Sequence, residues 1–441
     1  MPRSLSHPVR LVPAAFLAVS TVGAVLLMLP ISRADDSEPV VMPAAFTAVG
    51  ALTGTQSNVD TATFWTPFGQ TVVLALIQVG GFGIMTLATT LVLLVNHRLG
   101  LRTTLVAQAE TAVDLGEVRN ILRRIILTTL SIQAVTAVIL VLRYWIGYDE
   151  SLATSLWRGT FHAISAFNNA GFMLESGNLT GFVTDAWVIV PICLAAIVGG
   201  LGFPVLVELI RRAGRPRLWS VHTRLTVYGS LVLLVIGAVA FLGFEWTNDE
   251  TIGQLGPGGK LLAAFSGSVN PRTSGFNAVD YGSVTPEMRT VTDGLMFIGG
   301  GSASTAGGLK VSTFFLLAFV IWTEVRGEQD VNIGHRKISG STQRQAVSVA
   351  LMTVGVVAAG TMTILILTDY ALDAVLFESI SAFSTVGLST VVISDLPNSA
   401  QVVLMVLMFI GRVGPITAAS ALALRSRHRL YKLPEERPIV G

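Results

Sequence analysis

The sequence predicts an all-α membrane protein in which eight transmembrane helices form four repeated span–pore-helix–span units around one central pore. The prediction depends on composition, on long apolar stretches and on a short phrase that recurs four times. Of the 441 residues, 51% are hydrophobic and 13% are charged, and the mean hydropathy is +0.67. Soluble domains carry about 25% charged residues, so much of this apolar surface is expected to face lipid.

The apolar stretches have the length of about 20 residues that crosses the hydrocarbon core of a bilayer. The first of them resembles a signal peptide, but it exceeds the roughly 7–15 apolar residues of a signal core, so we interpret it as a retained span. The sixth is interrupted. The predicted spans are 11–29, 68–95, 121–146, 186–210, 223–244, 288–323, 344–368 and 399–424. They form one membrane domain, 1–441, with the repeats 11–95, 121–210, 223–323 and 344–424.

A short phrase lies between the two spans of each unit. Phe and Gly are ten positions apart in the last three copies and eight apart in the first. A fixed-period repeat sets the architecture of a chain, and four glycine-bearing loops around one axis are typical of an ion-selectivity filter. The copies run from Phe46 to Gly54, Phe161 to Gly171, Phe265 to Gly275 and Phe377 to Gly387.

These loops are expected to bind a cation through backbone carbonyl oxygens. Glycine adopts positive φ without a Cβ clash, and the half-helices before the loops would direct the negative ends of their dipoles at the ion. Close helix packing is the alternative explanation for any single glycine. The predicted filter residues are Leu52, Thr53, Gly54, Thr55, Asn169, Ala170, Gly171, Phe172, Thr273, Ser274, Gly275, Phe276, Thr385, Val386, Gly387 and Leu388.

A second glycine motif recurs in the second span of each unit, and two of its copies predict a gate. In the fourth copy Arg412 replaces a glycine, and an arginine inside a membrane normally faces a cavity or a partner. We expect it to act as an electrostatic barrier in the pore; the alternative is a structural arginine that satisfies nearby carbonyls. The third copy holds too many glycines for a continuous helix, which predicts a flexible gating loop, with a simple linker as the alternative. The predicted gate residues are Gly299, Gly300, Gly301, Ser302, Ala303, Ser304, Thr305, Ala306, Gly307, Gly308, Lys310 and Arg412.

Charged residues segregate between the two sets of loops. The positive-inside rule places the basic set and both termini in the cytoplasm, so the filter loops are expected to open outside, although each charge could also be an ordinary solvated one. The basic set is Arg98, Arg102, Arg119, Arg123, Arg124, Arg211, Arg212, Arg215, Arg217, Arg326, Arg336, Lys337, Arg425, Arg427, Arg429 and Lys432. The acidic set is Asp35, Asp36, Glu38, Asp60, Glu175, Asp249, Glu250, Asp373 and Asp395.

Other chemistry is not indicated by the sequence. The single cysteine, Cys193, excludes an internal disulfide framework, and the scattered histidines lack metal-ligand spacing. The stretch from Gly308 to Val311 lacks the Gly-Lys-Ser/Thr of a phosphate-binding loop. We therefore predict no enzyme activity, no covalent cofactor and no nucleic-acid partner. The cytoplasmic loop 325–343 is a candidate docking surface or a bare solvated loop.

The combination of the four-fold repeat with GGGSASTAGGLK (299–310) and FIGRVGPIT (409–417) resembles the Trk/Ktr/HKT superfamily of potassium transporters, and is most similar to KtrB-like bacterial membrane subunits. The resemblance implies one pore per chain, a homodimer, and a separate cytoplasmic KtrA-like nucleotide-binding regulatory subunit. It also implies that the filter glycines favour K+, that 299–308 is the gating loop and that Arg412 blocks the pore.

The predicted function is therefore K+ uptake across a bacterial plasma membrane through a channel-like pore embedded in lipid. A Na+-permeable or Na+-coupled transporter of the same superfamily is the first alternative, since the first repeat is two residues shorter and continues with Gln56 and Ser57. A secondary transporter with a midplane substrate site is the second. Such folds often use inverted repeats, whereas all four repeats here keep the same order.

Overall fold

The protein is described by a computed structural model that covers residues 8–34, 40–100 and 115–424, and it is almost entirely helical. Some members of the two charged sets lie outside the described residues. They are the basic residues Arg102, Arg425, Arg427, Arg429 and Lys432 and the acidic residues Asp35, Asp36 and Glu38. The helices are α1 (Pro8–Leu27), α2 (Val41–Thr53), α3 (Thr61–Phe64), α4 (Pro67–Gly100), α5 (Leu115–Leu142), α6 (Leu152–Phe167), α7 (Ala186–Leu201), α8 (Phe203–Arg212), α9 (Val221–Glu245), α10 (Pro257–Val269), α11 (Pro286–Phe297), α12 (Val311–Val325), α13 (Gly340–Leu367), α14 (Leu372–Ser384) and α15 (Asn398–Leu424).

Four shorter helices, α2, α6, α10 and α14, each precede one of the glycine-bearing loops. Local signals define their ends. The Ser151 hydroxyl accepts a hydrogen bond from the Thr154 amide at the start of α6, and Pro257 begins α10. Left-handed residues end α2 and α14, at Gly54 and Thr385. We number the loops that follow α2, α6, α10 and α14 as loops one to four.

Two of the expected spans are broken. The break in 288–323 lies at residues 298–310, between α11 and α12, as the glycine content predicts. The span 186–210 was expected to be continuous, but α7 and α8 meet at an angle of 101°. The cause is Gly202, whose φ of 91° and ψ of 146° fall in a region that only glycine readily adopts.

Gly202→Ala is expected to lower the apparent melting temperature of the detergent-solubilised protein. A Cβ at this position would fall on the Ser302 carbonyl oxygen, and the backbone conformation alone costs an alanine about 1–3 kcal/mol. Gly243→Ala on α9 is the control, because no atom lies within 4 Å of its Cβ position and the substitution favours a helix by about 1 kcal/mol. An equal or higher melting temperature for Gly202→Ala contradicts the proposed strain.

The described part of the chain contains three helices that are long and apolar enough to cross a membrane by length and composition. They are Leu122–Gly147, Val221–Glu245 and Gly340–Leu367, and the bent pair α7 and α8 would make a fourth span. Apolar side chains on them point outward, including Val135, Val239 and Leu351, which are 62%, 64% and 68% exposed. Such surfaces are typical of contact with lipid. The eight expected spans therefore stay a prediction.

The loop 325–343 is partly structured. It contains a small antiparallel hairpin of β1 (Asn332–Ile333) and β2 (Arg336–Lys337). Ile333 is buried against Leu316 of α12 and Ala346 of α13, while Arg336 and Lys337 are exposed. The hairpin is thus packed onto the helix that follows the break at 298–310.

Candidate functional site

The four loops touch one another in a closed ring. Their glycines, Gly54, Gly171, Gly275 and Gly387, have left-handed φ values of 69°, 70°, 71° and 96°. A Cβ built on any of them would meet the backbone of another loop, so the loops approach each other too closely for side chains at these points. The contacts are Gly54 with Asn169, Gly171 with Gly275, Gly275 with Val386, and Gly387 with Thr55.

One backbone amide in each loop donates a hydrogen bond to a carbonyl oxygen at the end of the preceding helix. The four bonds are Thr55 N to Gly50 O at 2.8 Å, Ala170 N to Ser165 O at 3.0 Å, Ser274 N to Asn270 O at 3.1 Å, and Val386 N to Ser381 O at 2.9 Å. The carbonyl oxygens of the same four donors receive no hydrogen bond from any described residue. All four donors are at most 1% exposed. Buried carbonyls of this kind are unfavourable unless something else satisfies them.

Two carbonyl oxygens of the predicted filter residues accept side-chain hydrogen bonds. The Ser381 hydroxyl donates to the Leu388 oxygen at 2.6 Å. The Asn178 side chain donates to the Gly171 oxygen at 3.0 Å, and its own oxygen accepts from the Asn277 amide at 3.3 Å. Asn178 therefore ties loop two to loop three. The sequence repeat gives no signal for it, because it lies after the repeated phrase. Phe172, Phe276 and Leu388, which follow three of the glycines, are buried in three separate apolar clusters.

The four glycines are not at equivalent positions. A helix that ends in a left-handed residue forms a bond from the next amide to the carbonyl five residues back. In loops two and four the left-handed residues are Asn169 and Thr385, with φ of 53° and 51°. In loop one the corresponding residue is Gly54 itself. Leu52 and Thr53, both among the predicted filter residues, complete the last turn of α2.

The contacts with the second spans give the same alignment. Cβ atoms on Gly80, Gly199 and Gly411 would fall on the carbonyl oxygens of Leu52, Phe167 and Phe383, each two residues before the left-handed position. These second-span glycines therefore serve close helix packing. The residue two positions after the left-handed one is a glycine in loops two and four, Gly171 and Gly387. In loop one the residue at this position is Gln56. Counting ten positions from Phe46 also reaches Gln56, so the sequence contained this signal.

The segment between α11 and α12 is held against α7 and loop four. Its main-chain bonds include Gly299 N to Leu309 O at 2.8 Å and Gly301 N to Gly200 O at 2.7 Å. The remaining polar contacts are Ser304 Oγ to Gly301 O at 2.6 Å, Thr305 Oγ1 to Phe167 O at 3.3 Å, Ser302 Oγ with Ser312 Oγ at 3.3 Å, and Lys310 Nζ to Ala306 O at 2.5 Å and Gly307 O at 3.4 Å. A Cβ on Gly307 would fall on Thr385, while Ala303 and Gly308 have positive φ and Gly300 contacts Gly200. The segment therefore lies directly beside the filter loops.

Arg412 connects this segment to loop one. Its side chain is 4% exposed, and Nη1 donates a hydrogen bond to the Thr305 carbonyl oxygen. Nη2 lies 3.7 Å from the Cβ position of Gly54. The expectation of a structural arginine bound to carbonyls and that of a charge beside the pore are therefore both compatible with its contacts.

A cavity of about 740 Å³ opens onto the ring of loops. Gly171, Gly275 and Gly387 lie in its wall together with the acidic residues Asp60 and Glu175. Glu175 forms an ion pair with Arg158, whereas Asp60 accepts from the Ser176 hydroxyl at 2.6 Å and caps α3. Within the described residues, no group of three or more His, Cys, Asp or Glu side chains could hold a metal ion.

Comparison with known proteins identifies close relatives over nearly the full length. The family model described as "TrkH: Cation transport protein" matches residues 1–428. The Ktr system potassium uptake protein B of Bacillus subtilis is 38% identical over 93% of this chain and 92% of its own. The protein of the same name from Vibrio alginolyticus is 36% identical over 98% and 94%. The crystal structure of the potassium transporter TrkH from Vibrio parahaemolyticus superposes with a TM-score of 0.71 at 17% identity, over 94% of this chain and 85% of that one.

Proposed function

The chain belongs to the TrkH family of cation transport proteins, and we propose that it takes up K+ across the plasma membrane through one pore between its four loops. Four span–pore-helix–span units with eight spans and cytoplasmic termini would surround that pore. The names of its relatives support K+ as the transported ion.

The observation that carries the proposal is the ring of loops with buried, unpaired carbonyl oxygens. A dehydrated cation needs oxygen ligands that replace its hydration shell, and backbone carbonyls supply them in K+ filters. Because the loop amides already bond to their own helices, the free oxygens of Thr55, Ala170, Ser274 and Val386 are the groups available for an ion. Uptake needs no ATP hydrolysis by this chain, because a membrane potential of about 100 mV supplies about 2.3 kcal/mol for each monovalent cation that enters.

We further propose that residues 299–308 and Arg412 gate this path. The segment lies against loop four and contacts Arg412 through Thr305, so its position decides whether the guanidinium stays beside loop one. A homodimer and a separate cytoplasmic nucleotide-binding subunit follow from the resemblance to Ktr systems. The mostly exposed loop 325–343, whose hairpin packs on α12, is the candidate docking surface.

The test is uptake of tracer Rb+ into proteoliposomes that hold the purified protein and internal K+. We expect saturable uptake that external K+ reduces strongly and an equal concentration of Na+ reduces little. The Arg412→Ala variant is measured in parallel so that a closed gate does not conceal the path. No uptake by either protein, with both correctly inserted, contradicts the proposal.

A Na+-permeable transporter is the second candidate function. The observation that favours it is that Gln56, rather than a glycine, stands in loop one at the level of Gly171 and Gly387. Equal competition by Na+ and K+ in the Rb+ assay would favour this candidate over K+ selectivity.

A further inference from the structure

Gln56 carries a buried side-chain amide that no described residue satisfies. The residue is 7% exposed, and neither Nε2 nor Oε1 has a hydrogen-bond partner within the described ranges. Buried primary amides are almost always paired, because leaving one unpaired is strongly unfavourable. A bound ligand would supply the missing partner of this amide.

The position of Gln56 beside the filter loops points to a cation as the ligand. It lines the same cavity as Gly171, Gly275 and Gly387. Its Cβ lies 3.6 Å from the Cβ position of Gly387, and the carbonyl oxygen of the preceding Thr55 contacts that glycine as well. The side chain therefore starts at the level of the ring where the other three loops present only backbone. An amide oxygen is a hard ligand of the kind that cations such as K+ and Na+ accept.

A second amide of loop one, that of Asn58, also has an oxygen without a partner among the described residues. Asn58 donates from Nδ2 to Gln401 Oε1 at 2.9 Å, and Gln401 donates from Nε2 to Leu396 O at 2.9 Å. This chain of bonds fixes the orientation of the Asn58 amide, because the reverse orientation would bring two oxygens together. Asn58 Oδ1 is consequently buried without a partner among the described residues. Loop one is thus anchored to the start of α15 while two amide oxygens remain available.

We propose that the Gln56 side-chain oxygen binds the transported cation directly, as a specificity-determining ligand at the level of Gly171, Gly275 and Gly387. The inference rests on the proposed transport path and adds a side-chain ligand to its backbone oxygens. A side chain adjusts to the size of an ion more readily than a packed ring of backbone does. Gln56 therefore sets how strongly the site discriminates between K+ and the smaller Na+.

The test is the concentration dependence of Rb+ uptake into K+-loaded proteoliposomes by the wild type and by Gln56→Leu, which keeps the bulk and removes the amide. We expect the KM for Rb+ to rise about fivefold to tenfold in the variant, with the maximal rate within about twofold of the wild type. Gln254→Leu, at an exposed glutamine between α9 and α10, is the matched control and should leave both values unchanged. An unchanged KM in Gln56→Leu overturns the inference.

Gln56→Glu separates ligation from packing and covers the case in which the leucine variant does not fold. It retains a side-chain oxygen and adds a negative charge, so the KM for Rb+ should stay equal or fall, and inhibition by Na+ should increase. A KM raised as much as in the leucine variant, or unaltered Na+ inhibition, would show that the residue only fills space. Failure of the wild type itself to transport Rb+ counts against the proposed function, whereas normal wild-type transport with indifferent Gln56 variants counts only against this inference.

Discussion

Gly275→Ala is expected to reduce K+ or Rb+ uptake at least about tenfold while the protein still inserts and remains folded. The new Cβ would fall on the Val386 carbonyl oxygen and lie 3.3 Å from the Gly171 Cα. The backbone φ of 71° adds strain of about 1–3 kcal/mol for a non-glycine residue, and about 1.4 kcal/mol already corresponds to tenfold. Because Val386 is one of the free carbonyls, relief of this contact displaces a proposed ion ligand.

The matched control for this prediction is Gly258→Ala on α10, the helix that leads into the same loop. No atom lies within 4 Å of its Cβ position, and the alanine should favour the helix. Uptake by Gly258→Ala should equal that of the wild type. Normal Rb+ uptake by Gly275→Ala, at the same amount of inserted protein, would remove the backbone of loop three from the ion path.

Arg412→Ala is expected to raise cation flux about tenfold. A unit charge about 10 Å from an ion opposes it by about 1.7 kcal/mol at an effective dielectric constant of about 20, which corresponds to more than tenfold. The substitution also removes the hydrogen bond that links Arg412 to the Thr305 carbonyl of the 299–308 segment. Initial rates of Rb+ uptake into proteoliposomes provide the measurement.

Two further variants separate the charge from the tether. Arg412→Gln keeps a donor for the Thr305 carbonyl without the charge, and Arg412→Lys keeps the charge. If repulsion limits the flux, glutamine should behave like alanine and lysine like the wild type. If the tether limits it, glutamine should behave like the wild type. Wild-type rates in all three variants would exclude a gating role for Arg412.

Several features could be predicted from the sequence because they depend on local chemistry. The break between α11 and α12 follows from the glycines at 299–308, which no continuous helix accommodates well. The positions of α6 and α14 follow from the repeated phrase, since the same residues produce the same helix ends. The composition alone predicts the apolar outer faces of α9 and α13.

Other features depend on contacts that the sequence does not display. The turn at Gly202 requires the Ser302 and Ala303 carbonyls to lie next to it, and these belong to another repeat. The partner of Arg412 lies 107 residues away at Thr305. The helix hydrogen bonds match Gly54 to Asn169 and Thr385, whereas the repeated phrase in the sequence matches it to Gly171 and Gly387.

The closed sequence of contacts among the loops restricts how this molecule can evolve. Each glycine lies against the main chain of another loop, as Gly387 lies against Thr55 and Gly275 against Val386. A bulkier residue in place of one of these glycines would therefore displace carbonyl oxygens of the adjacent loop. Such a substitution would require a compensating change in that adjacent loop. Loop one already carries a side chain, that of Gln56, at the level where the other three loops carry glycine, so variation at this level has been accommodated in that loop.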